Sequence, residues 1–193
     1  MVAELLNRVR RTPERVLHPL RRWSACETLR RRPRPQSVLA VCHGNICRSP
    51  VAAALLVRVL GPAVRVQSAG FIGADRPAPV EARVAAARRG VDLSAHRSRP
   101  ITADLVRDAD LILVMDPIQQ RMVCERFGRR PRDVMVLGDL DPARVESRTI
   151  RDPINQPGEV FDQSYERIER CVDALASVLT AGDARNGNRK ARP

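Results

Sequence analysis

The stretch VLAVCHGNICRSPVAAALLVRVLG, residues 38–61, decides the fold. Its first four residues form an apolar run typical of a buried strand, and Val51 to Leu60 has the composition of an apolar helix, which Gly61 ends. The short loop between them leads into Ser49-Pro50, and proline is favoured in the first turn of a helix. A strand followed directly by a helix is the first half of a βαβ unit, and such units predict a parallel sheet.

The same alternation continues along the chain. Further strands are predicted at residues 64–67, 111–115 and 134–137, and further helices at 80–89, 102–107 and 118–127. A closing helix is predicted from apolar residues spaced by three and four, namely Phe161, Tyr165, Ile168, Val172, Leu175 and Leu179. The order βαβαβαβα predicts an α/β fold, a single domain with a four-stranded parallel sheet and helices on both faces. In such a sheet the ligand crevice lies at the carboxyl ends of the strands.

The formal charge of +12 is concentrated at the two ends of the chain. Residues 1–36 hold ten arginines against three glutamates, and residues 183–193 hold four basic residues against one aspartate. The stretch between them is close to neutral, as in an ordinary globular domain. We therefore predict a basic N-terminal extension and linker at 1–36, a globular domain at 37–182 and a basic C-terminal tail at 183–193.

The extension contains helical patterns but few features of a packed domain. One short segment carries Leu5, Leu6 and Val9, and a second is predicted to begin at Pro13 and to be interrupted by His18-Pro19. The following arginine- and proline-rich residues, 30–35, are typical of a stiff, solvated linker. We expect a poorly ordered extension, with peripheral contact to an anionic membrane or an acidic partner as the functional alternative.

Composition excludes several classes of protein. No uncharged apolar run approaches the roughly 18 residues of a membrane-spanning helix, which excludes a transmembrane protein. The five cysteines are odd in number and do not cluster, so they support neither a disulfide framework nor a zinc site. Cysteines without disulfides are typical of a reducing compartment, and a cytoplasmic location is therefore expected. The basic tails lack the interleaved aromatic residues that stack on bases, so nucleic acid is not expected as a partner.

The spacing Cys, any five residues, Arg occurs three times, at Cys26/Arg32, Cys42/Arg48 and Cys124/Arg130. Arginine is so frequent here that the spacing alone carries little weight, and only Cys42 ends a predicted strand ahead of a helix. Backbone N–H groups in such a loop and the positive end of the helix dipole form an anion cradle, which also favours the nucleophilic thiolate. Arg48 adds a planar fork that can bind two phosphoryl oxygens. These residues predict a cysteine phosphatase loop.

Residues 41–50, VCHGNICRSP, resemble the signature loop of the low-molecular-weight protein tyrosine phosphatases. The resemblance extends through Ser68-Ala69-Gly70 and through residues 90–99 and 109–115, and Asp152-Pro153 stands where the family keeps its general acid. In all it covers about residues 37–179. It implies hydrolysis of protein phosphotyrosine through a phosphocysteine intermediate, with no metal and no cofactor.

The resemblance assigns a role to each matching residue. Cys42 would be the nucleophile, Arg48 would bind the phosphoryl group and stabilise the transition state, and Asp152 would protonate the leaving oxygen and then activate water. The remaining loop residues would bind the substrate phosphoryl group or support those that do: His43, Gly44, Asn45, Ile46, Cys47 and Ser49. Among them, Asn45 would hold the strained loop and Ser49 would donate a hydrogen bond to the Cys42 sulfur. A reversible disulfide between Cys42 and Cys47 is an alternative to a passive buried thiol at Cys47.

Three alternatives to phosphotyrosine hydrolysis remain. The first is hydrolysis of phosphoarginine. Ile154-Asn155 follow Asp-Pro where many family members have an aromatic residue, and residues 152–161 resemble a branch of the family that acts on phosphoarginine. Against this alternative, the apolar bulk of Ile46 favours an aryl phosphate. Arsenate reductases share the fold but need resolving cysteines, whereas Cys124 and Cys171 lie on separate predicted helices. A catalytically idle phosphate-binding protein is the third alternative, disfavoured by the intact set of catalytic residues.

Overall fold

A parallel four-stranded sheet organises the structure, which is a computed structural model describing the backbone of residues 2–190 and the side chains of residues 14–181. The strands are β1 (Ser37–Cys42), β2 (Arg65–Gly70), β3 (Leu111–Val114) and β4 (Val134–Val136), in the order β2-β1-β3-β4. The predicted fold class is confirmed. Because β1, β3 and β4 are buried on both faces, their sequences are continuous apolar runs rather than alternating ones.

Six helices accompany the sheet: α1 (Val2–Arg31), α2 (Arg48–Leu60), α3 (Val80–Ala87), α4 (Ala103–Arg107), α5 (Pro117–Phe127) and α6 (Gly158–Lys190). Short 3-10 turns lie at Pro131–Asp133 and Leu137–Leu140. Alternate residues of β1 face opposite sides of the sheet. Ala40 and Cys42 pack in one core, which lies under α1, α2, α3 and α6. Leu39 and Val41 pack in a second core, which lies under α4 and α5. Among the described residues, no helix combines the length and apolar character that crossing a bilayer requires.

The closing helix is the main partner of α2. All six residues predicted for its apolar face are buried, and the rings of Phe161 and Tyr165 meet edge to face with centroids 6.1 Å apart. Burial of large side chains at this spacing accounts for a helix whose other face is strongly charged. The close packing of α6 on α2 fixes the start of α2, which is the helix that follows the cysteine loop.

The N-terminal extension differs from its prediction. One helix, α1, runs from Val2 to Arg31 without a break at His18-Pro19, and it packs against α6. Ala25, Cys26 and Leu29 are buried in the same core as α2 and α6, so the described part of the extension is ordered against the domain. A proline inside a helix costs about 3 kcal/mol, and the burial of this face offsets that cost. The side chains of Leu5, Leu6 and Val9 lie outside the described residues, as do those of the C-terminal tail.

The strand order places the candidate site. From β1 the chain crosses to β2 on one side and later to β3 on the other. The carboxyl end of β1 is therefore the point where the connections diverge, and a crevice forms there in sheets of this kind. Cys42 is the last residue of β1 and Arg48 the first of α2, so the predicted phosphatase loop lies at this point.

Candidate active site

The sulfur of Cys42 is held by two polar groups of its own loop. Cys42 is 2% exposed, and its Sγ accepts a hydrogen bond from the backbone N–H of Asn45 at 3.2 Å. The hydroxyl oxygen of Ser49 lies 3.1 Å from the same sulfur. The Ser49 hydroxyl can donate either to this sulfur or to the carbonyl oxygen of Ala69 at 3.3 Å. Donors directed at sulfur stabilise the thiolate form, which is both the nucleophile and the leaving group of a cysteine phosphatase.

Asn45 holds the loop in its shape. It is fully buried with φ at 52°, in the left-handed region that most side chains avoid. Its Nδ2 group donates to the hydroxyls of Ser49 and Ser68, both at 2.9 Å, and its Oδ1 accepts the N–H of Arg99 at 2.9 Å. These hydrogen bonds connect the loop to the end of β2 and to the segment after α3, and they offset the backbone strain.

Further contacts support the loop from neighbouring segments. His96 Nε2 lies 2.7 Å from the carbonyl oxygen of Asn45, and Arg76 donates to the carbonyl oxygen of Gly44 at 3.0 Å. At Gly70 a Cβ would lie 2.7 Å from the backbone nitrogen of Asn45, so only glycine allows β2 to approach the loop this closely. Of these supports, Arg76 was not singled out from the sequence, and no local sequence signal identifies it.

Arg48 and Asp152 contact each other across the site. Arg48 is 3% exposed; its Nη1 donates to the carbonyl oxygen of Ile150 at 3.0 Å and its Nη2 forms an ion pair with Asp152. The Nε–H of Arg48 is buried and has no hydrogen-bond partner among the described residues. A buried guanidinium donor of this kind fits an anionic oxygen, which is the ligand expected for the cradle.

Burial keeps the remaining loop thiol protonated. Cys47 precedes α2, and burial together with the nearby Cys42 and Asp152 raises its pKa to about 12. Burial also raises the pKa of the Tyr165 hydroxyl, which packs beneath the loop. Cys42 and Cys47 are both free thiols, and a regulatory disulfide between them stays a prediction. A protonated Cys47 would make its attack on an oxidised Cys42 slow at neutral pH.

The other predicted loop residues lie around this centre. Ile46 is half-buried and packs on the core under α2, whereas His43 is exposed and its carbonyl oxygen accepts the N–H groups of Phe71 and Ile72 at 2.8 and 3.1 Å. Within the described part of the chain, no group of three or more His, Cys, Asp or Glu side chains is arranged to hold a metal ion.

The remaining cysteines lie elsewhere. Cys26 and Cys124 sit inside α1 and α5, and Cys124 packs on the opposite face of the sheet from Cys42. Cys171 is buried in the core of α6, as predicted, and burial raises its pKa to about 12. These positions provide no pair of cysteines beside Cys42 that could resolve an arsenylated intermediate.

Removal of the Asn45 side chain tests the support of the loop. In Asn45→Ala we expect kcat/KM for an aryl phosphate to fall on the order of 100-fold, because a small displacement of reacting groups has effects of this size. Asp75→Ala is the matched control, since Asp75 also has a positive φ, of 56°, but is exposed. Equal losses of kcat/KM in the two variants would show that activity depends on backbone strain and not on the side-chain hydrogen bonds of Asn45.

The sequence of this chain is similar to those of known proteins. A sequence profile described as low molecular weight phosphotyrosine protein phosphatase matches residues 37–185. "Probable low molecular weight protein-tyrosine-phosphatase EpsP" of Ralstonia nicotianae is 43% identical over 148 residues, which are 76% of this chain and 97% of the relative.

Two solved structures are also similar. The tyrosine phosphatase amsI of Erwinia amylovora superposes with a TM-score of 0.69 at 32% identity, covering 76% of this chain and 94% of that one. The YwlE arginine phosphatase of Geobacillus stearothermophilus superposes with a TM-score of 0.70 at 31% identity, covering 78% of this chain and 97% of that one. The predicted resemblance is thereby confirmed: the chain belongs to the low molecular weight phosphotyrosine protein phosphatase family.

Proposed function

We propose that this chain is a protein tyrosine phosphatase that forms a phosphocysteine intermediate on Cys42. One arrangement carries the proposal: the sulfur of Cys42, in contact with Asn45 and Ser49, lies in a loop that leads directly into Arg48. The buried Nε–H of Arg48 has no hydrogen-bond partner in the part of the chain that the structure describes. This set of groups combines a nucleophile with donors for the phosphoryl oxygens. The names of the EpsP and amsI relatives support the choice of phosphotyrosine.

The first step transfers the phosphoryl group to sulfur. A lone pair of the Cys42 thiolate forms the S–P bond while the bond between phosphorus and the tyrosine oxygen breaks. The electron pair of the broken bond goes to the phenolic oxygen, which takes the proton of Asp152. Backbone N–H groups of the loop and the guanidinium of Arg48 bind the phosphoryl oxygens and stabilise the transition state.

The second step returns the enzyme to its starting state. The Asp152 carboxylate takes a proton from a water molecule, whose oxygen attacks phosphorus as the S–P bond breaks. Inorganic phosphate leaves and the electron pair returns to the Cys42 sulfur as thiolate, which the Asn45 N–H and the Ser49 hydroxyl stabilise.

The ion pair between Arg48 and Asp152 belongs to the substrate-free state of this cycle. Without substrate the guanidinium faces the Asp152 carboxylate, which the N–H of Ile154 also contacts at 3.3 Å. A bound phosphoryl dianion would compete for the Arg48 donors and place negative charge beside Asp152. Release from Arg48 would free the Asp152 carboxyl to approach the leaving oxygen.

The apolar bulk of Ile46 favours an aryl substrate. Ile46 is half-buried and lies in the loop itself, four residues after Cys42, whereas Ile154 stands where many family members have an aromatic ring and supplies none. Hydrolysis of phosphoarginine is the second candidate, because YwlE, which is 31% identical, is named an arginine phosphatase. An extended cationic guanidinium would gain less from apolar walls than a phenyl ring.

The substrate assignment is tested by phosphate release from phosphotyrosine and phosphoarginine peptides of the same sequence, with a metal chelator present. We expect the higher kcat/KM for phosphotyrosine. Higher kcat/KM for phosphoarginine would overturn the substrate assignment and leave the cysteine chemistry intact. Absence of activity on both, from folded and reduced protein, would contradict the proposed function.

Removing the acid should have an effect that depends on the leaving group. In Asp152→Asn we expect kcat for a phosphotyrosine peptide to fall by about 10² to 10⁴, because tyrosine oxygen leaves poorly as an anion. The loss should be smaller for p-nitrophenyl phosphate, whose leaving group needs no proton. Asp116→Asn is the matched control, since Asp116 also precedes a proline and caps α5, where asparagine caps equally well. An equal loss for both substrates would refute the acid role of Asp152.

The basic extension has a surface suited to a membrane, and we propose that it rests on anionic lipid. Val16, Leu20 and Trp23 follow one another at helical spacing on α1 and are 68%, 65% and 62% exposed, while the opposite side of the helix is buried. The exposed Arg15 and the half-buried Arg22 lie beside them. An apolar stripe with tryptophan and flanking arginines is typical of helices that lie at an anionic lipid surface.

Vesicle binding tests this surface. We expect the full chain to sediment with vesicles that contain phosphatidylserine and not with neutral phosphatidylcholine vesicles, and we expect Leu20→Ser/Trp23→Ser to abolish sedimentation. Ile118→Ser is the matched control, because Ile118 is 68% exposed on α5. Binding that survives in the double variant would exclude the stripe as the contact surface.

The five free cysteines suit a reducing compartment, and we propose the cytoplasm. Catalysis requires a reduced Cys42, and no disulfide protects the other thiols.

A further inference from the structure

A large basic cavity lies at the end of the sheet opposite to Cys42. It has a volume of about 850 Å³ and is lined by four chain segments that converge before β1, β3 and β4. We call it the arginine cavity, and its lining segments are the end of α1 with residues 31–36, the end of α4 at Arg107, residues 109–110, and residues 129–133. Along β1 alone, the five residue steps from Ser37 to Cys42 span roughly 17 Å at about 3.3 Å per residue. The arginine cavity is therefore separate from the candidate active site.

The charge of the cavity is strongly unbalanced. Its lining contains seven arginines and only two acidic residues, Asp110 and Asp133. Both carboxylates already have partners: Asp110 accepts the N–H groups of Gln36 and Ser37 at 2.8 and 3.0 Å, and Asp133 pairs with Arg130 at 3.1 Å. Asp133 also pairs with Arg32 at 3.7 Å. Outside the lining, Glu27 pairs with Arg31, and Asp104 and Asp108 pair with Arg107. The positive charge that no ion pair among the described residues offsets therefore belongs to Arg129 and Arg132.

Two buried donors in the lining have no partner. Arg32 donates through Nη2 to the carbonyl oxygen of Asp110, and Arg129 donates through Nη2 to that of Ala109 at 2.7 Å. Arg32 Nη1 and Arg129 Nε are buried and make no hydrogen bond within the described residues. Burial lowers the pKa of Arg32, and the charges of Arg129 and Arg132 lower it further against the opposing effect of Asp133 and Asp110. A buried cation beside other cations is stabilised when an anion binds there.

We propose that the arginine cavity is a second anion site, which binds a soluble ligand with several linked phosphate groups, such as triphosphate. The volume suits a small ligand, and planar guanidinium forks from different segments match several phosphate groups at once. The lining contains no aromatic side chain, so recognition depends on charge and not on stacking of a base. Because the ligand would join the linker after α1 to the loop before β4, it would also hold the extension against the domain.

Calorimetric titration of the full chain with inorganic triphosphate tests the proposal. The catalytic loop also binds phosphate, so two binding events are expected, of which only one competes with substrate in a phosphatase assay. In Arg32→Gln/Arg129→Gln we expect the non-competing event to weaken at least tenfold and kcat/KM to stay unchanged. Arg83→Gln/Arg121→Gln is the matched control, because it removes the same charge from exposed positions outside the cavity.

A second variant covers the case in which loss of Arg32 disturbs folding. Arg132 is exposed at the rim and Arg132→Glu introduces repulsion without touching a buried contact, so it should weaken the same event and raise its salt dependence. A single, fully competitive binding event in the wild-type protein would overturn the proposal. So would equal weakening in the control variant, or binding of anionic vesicles through these arginines without binding of triphosphate.

Discussion

Cys42→Ser should lower phosphate release from a phosphotyrosine peptide by at least about 10⁴-fold. Serine has nearly the same size as cysteine, so the contacts with the Asn45 N–H and the Ser49 hydroxyl can persist and the loop can keep its shape. The serine hydroxyl is not ionised at neutral pH, and an alkoxide is a far poorer leaving group than a thiolate in the second step. The measurement is kcat with excess peptide, together with thermal unfolding to establish that the variant is folded.

Cys124→Ser is the control for this variant. Cys124 has the same five-residue spacing to an arginine, but it lies in α5 on the other face of the sheet. We expect its activity to match that of the wild type. Retention of more than about a hundredth of the activity in Cys42→Ser would exclude Cys42 as the nucleophile.

Arg48→Lys should lower kcat/KM on the order of 10³-fold although it keeps the positive charge. Arg48 places Nη1 on the carbonyl oxygen of Ile150 and Nη2 on Asp152. Its Nε–H is buried and has no partner among the described residues, and one planar group holds all three nitrogens in fixed directions. A lysine ammonium is a single point charge that cannot replace a bidentate contact to phosphoryl oxygens. The loss should fall on kcat more than on KM, because the charge on these oxygens is redistributed in the transition state.

Arg130→Lys is the matched control, since Arg130 stands six positions after Cys124, as Arg48 does after Cys42, and is exposed. We expect it to leave kcat/KM unchanged. A loss below tenfold in Arg48→Lys, with folding intact, would show that the guanidinium geometry is not required.

Three of the four strands, β1, β3 and β4, could be predicted because they are short apolar runs that need no knowledge of distant residues. Residues 38–41 were predicted as a strand and the structure extends it to Ser37–Cys42, and the predicted apolar face of α6 is buried throughout. The helix predicted over 102–107 is α4, Ala103–Arg107, and Thr102 caps it, since its hydroxyl accepts the N–H of Leu105 at 3.2 Å. Periodicity and caps are local properties, and these elements follow from them.

The extension could not be predicted in the same way. Pro19 and the arginines of α1 indicate an interrupted, solvated segment when only local propensity is considered. The structure shows that Ala25 and Leu29 reach the core under α6, and this contact joins residues far apart in the sequence. Tertiary burial overrides local propensity here.

Some contacts of the candidate site follow from local sequence, and others join residues that are distant in the sequence. The proposed nucleophile, Cys42, and the proposed phosphoryl-binding residue, Arg48, are six positions apart at the two ends of one loop, so their proximity follows from the strand-loop-helix pattern. Arg48 and Asp152 are separated by 104 positions, so no local sequence pattern predicts their contact. Arg76, which contacts the carbonyl oxygen of Gly44, belongs to another loop, and no local pattern predicts such a contact.

The most direct test of the account is detection of the phosphocysteine. Asp152→Asn is mixed with p-nitrophenyl phosphate, whose leaving group needs no acid, so the intermediate forms and its hydrolysis is slowed. After a denaturing quench, mass spectrometry locates the phosphoryl group. We expect phosphorylation of the peptide that contains Cys42, and none when Cys42→Ser is added. A phosphoryl group on another residue, or a burst of p-nitrophenol without any phosphorylated residue, would contradict it.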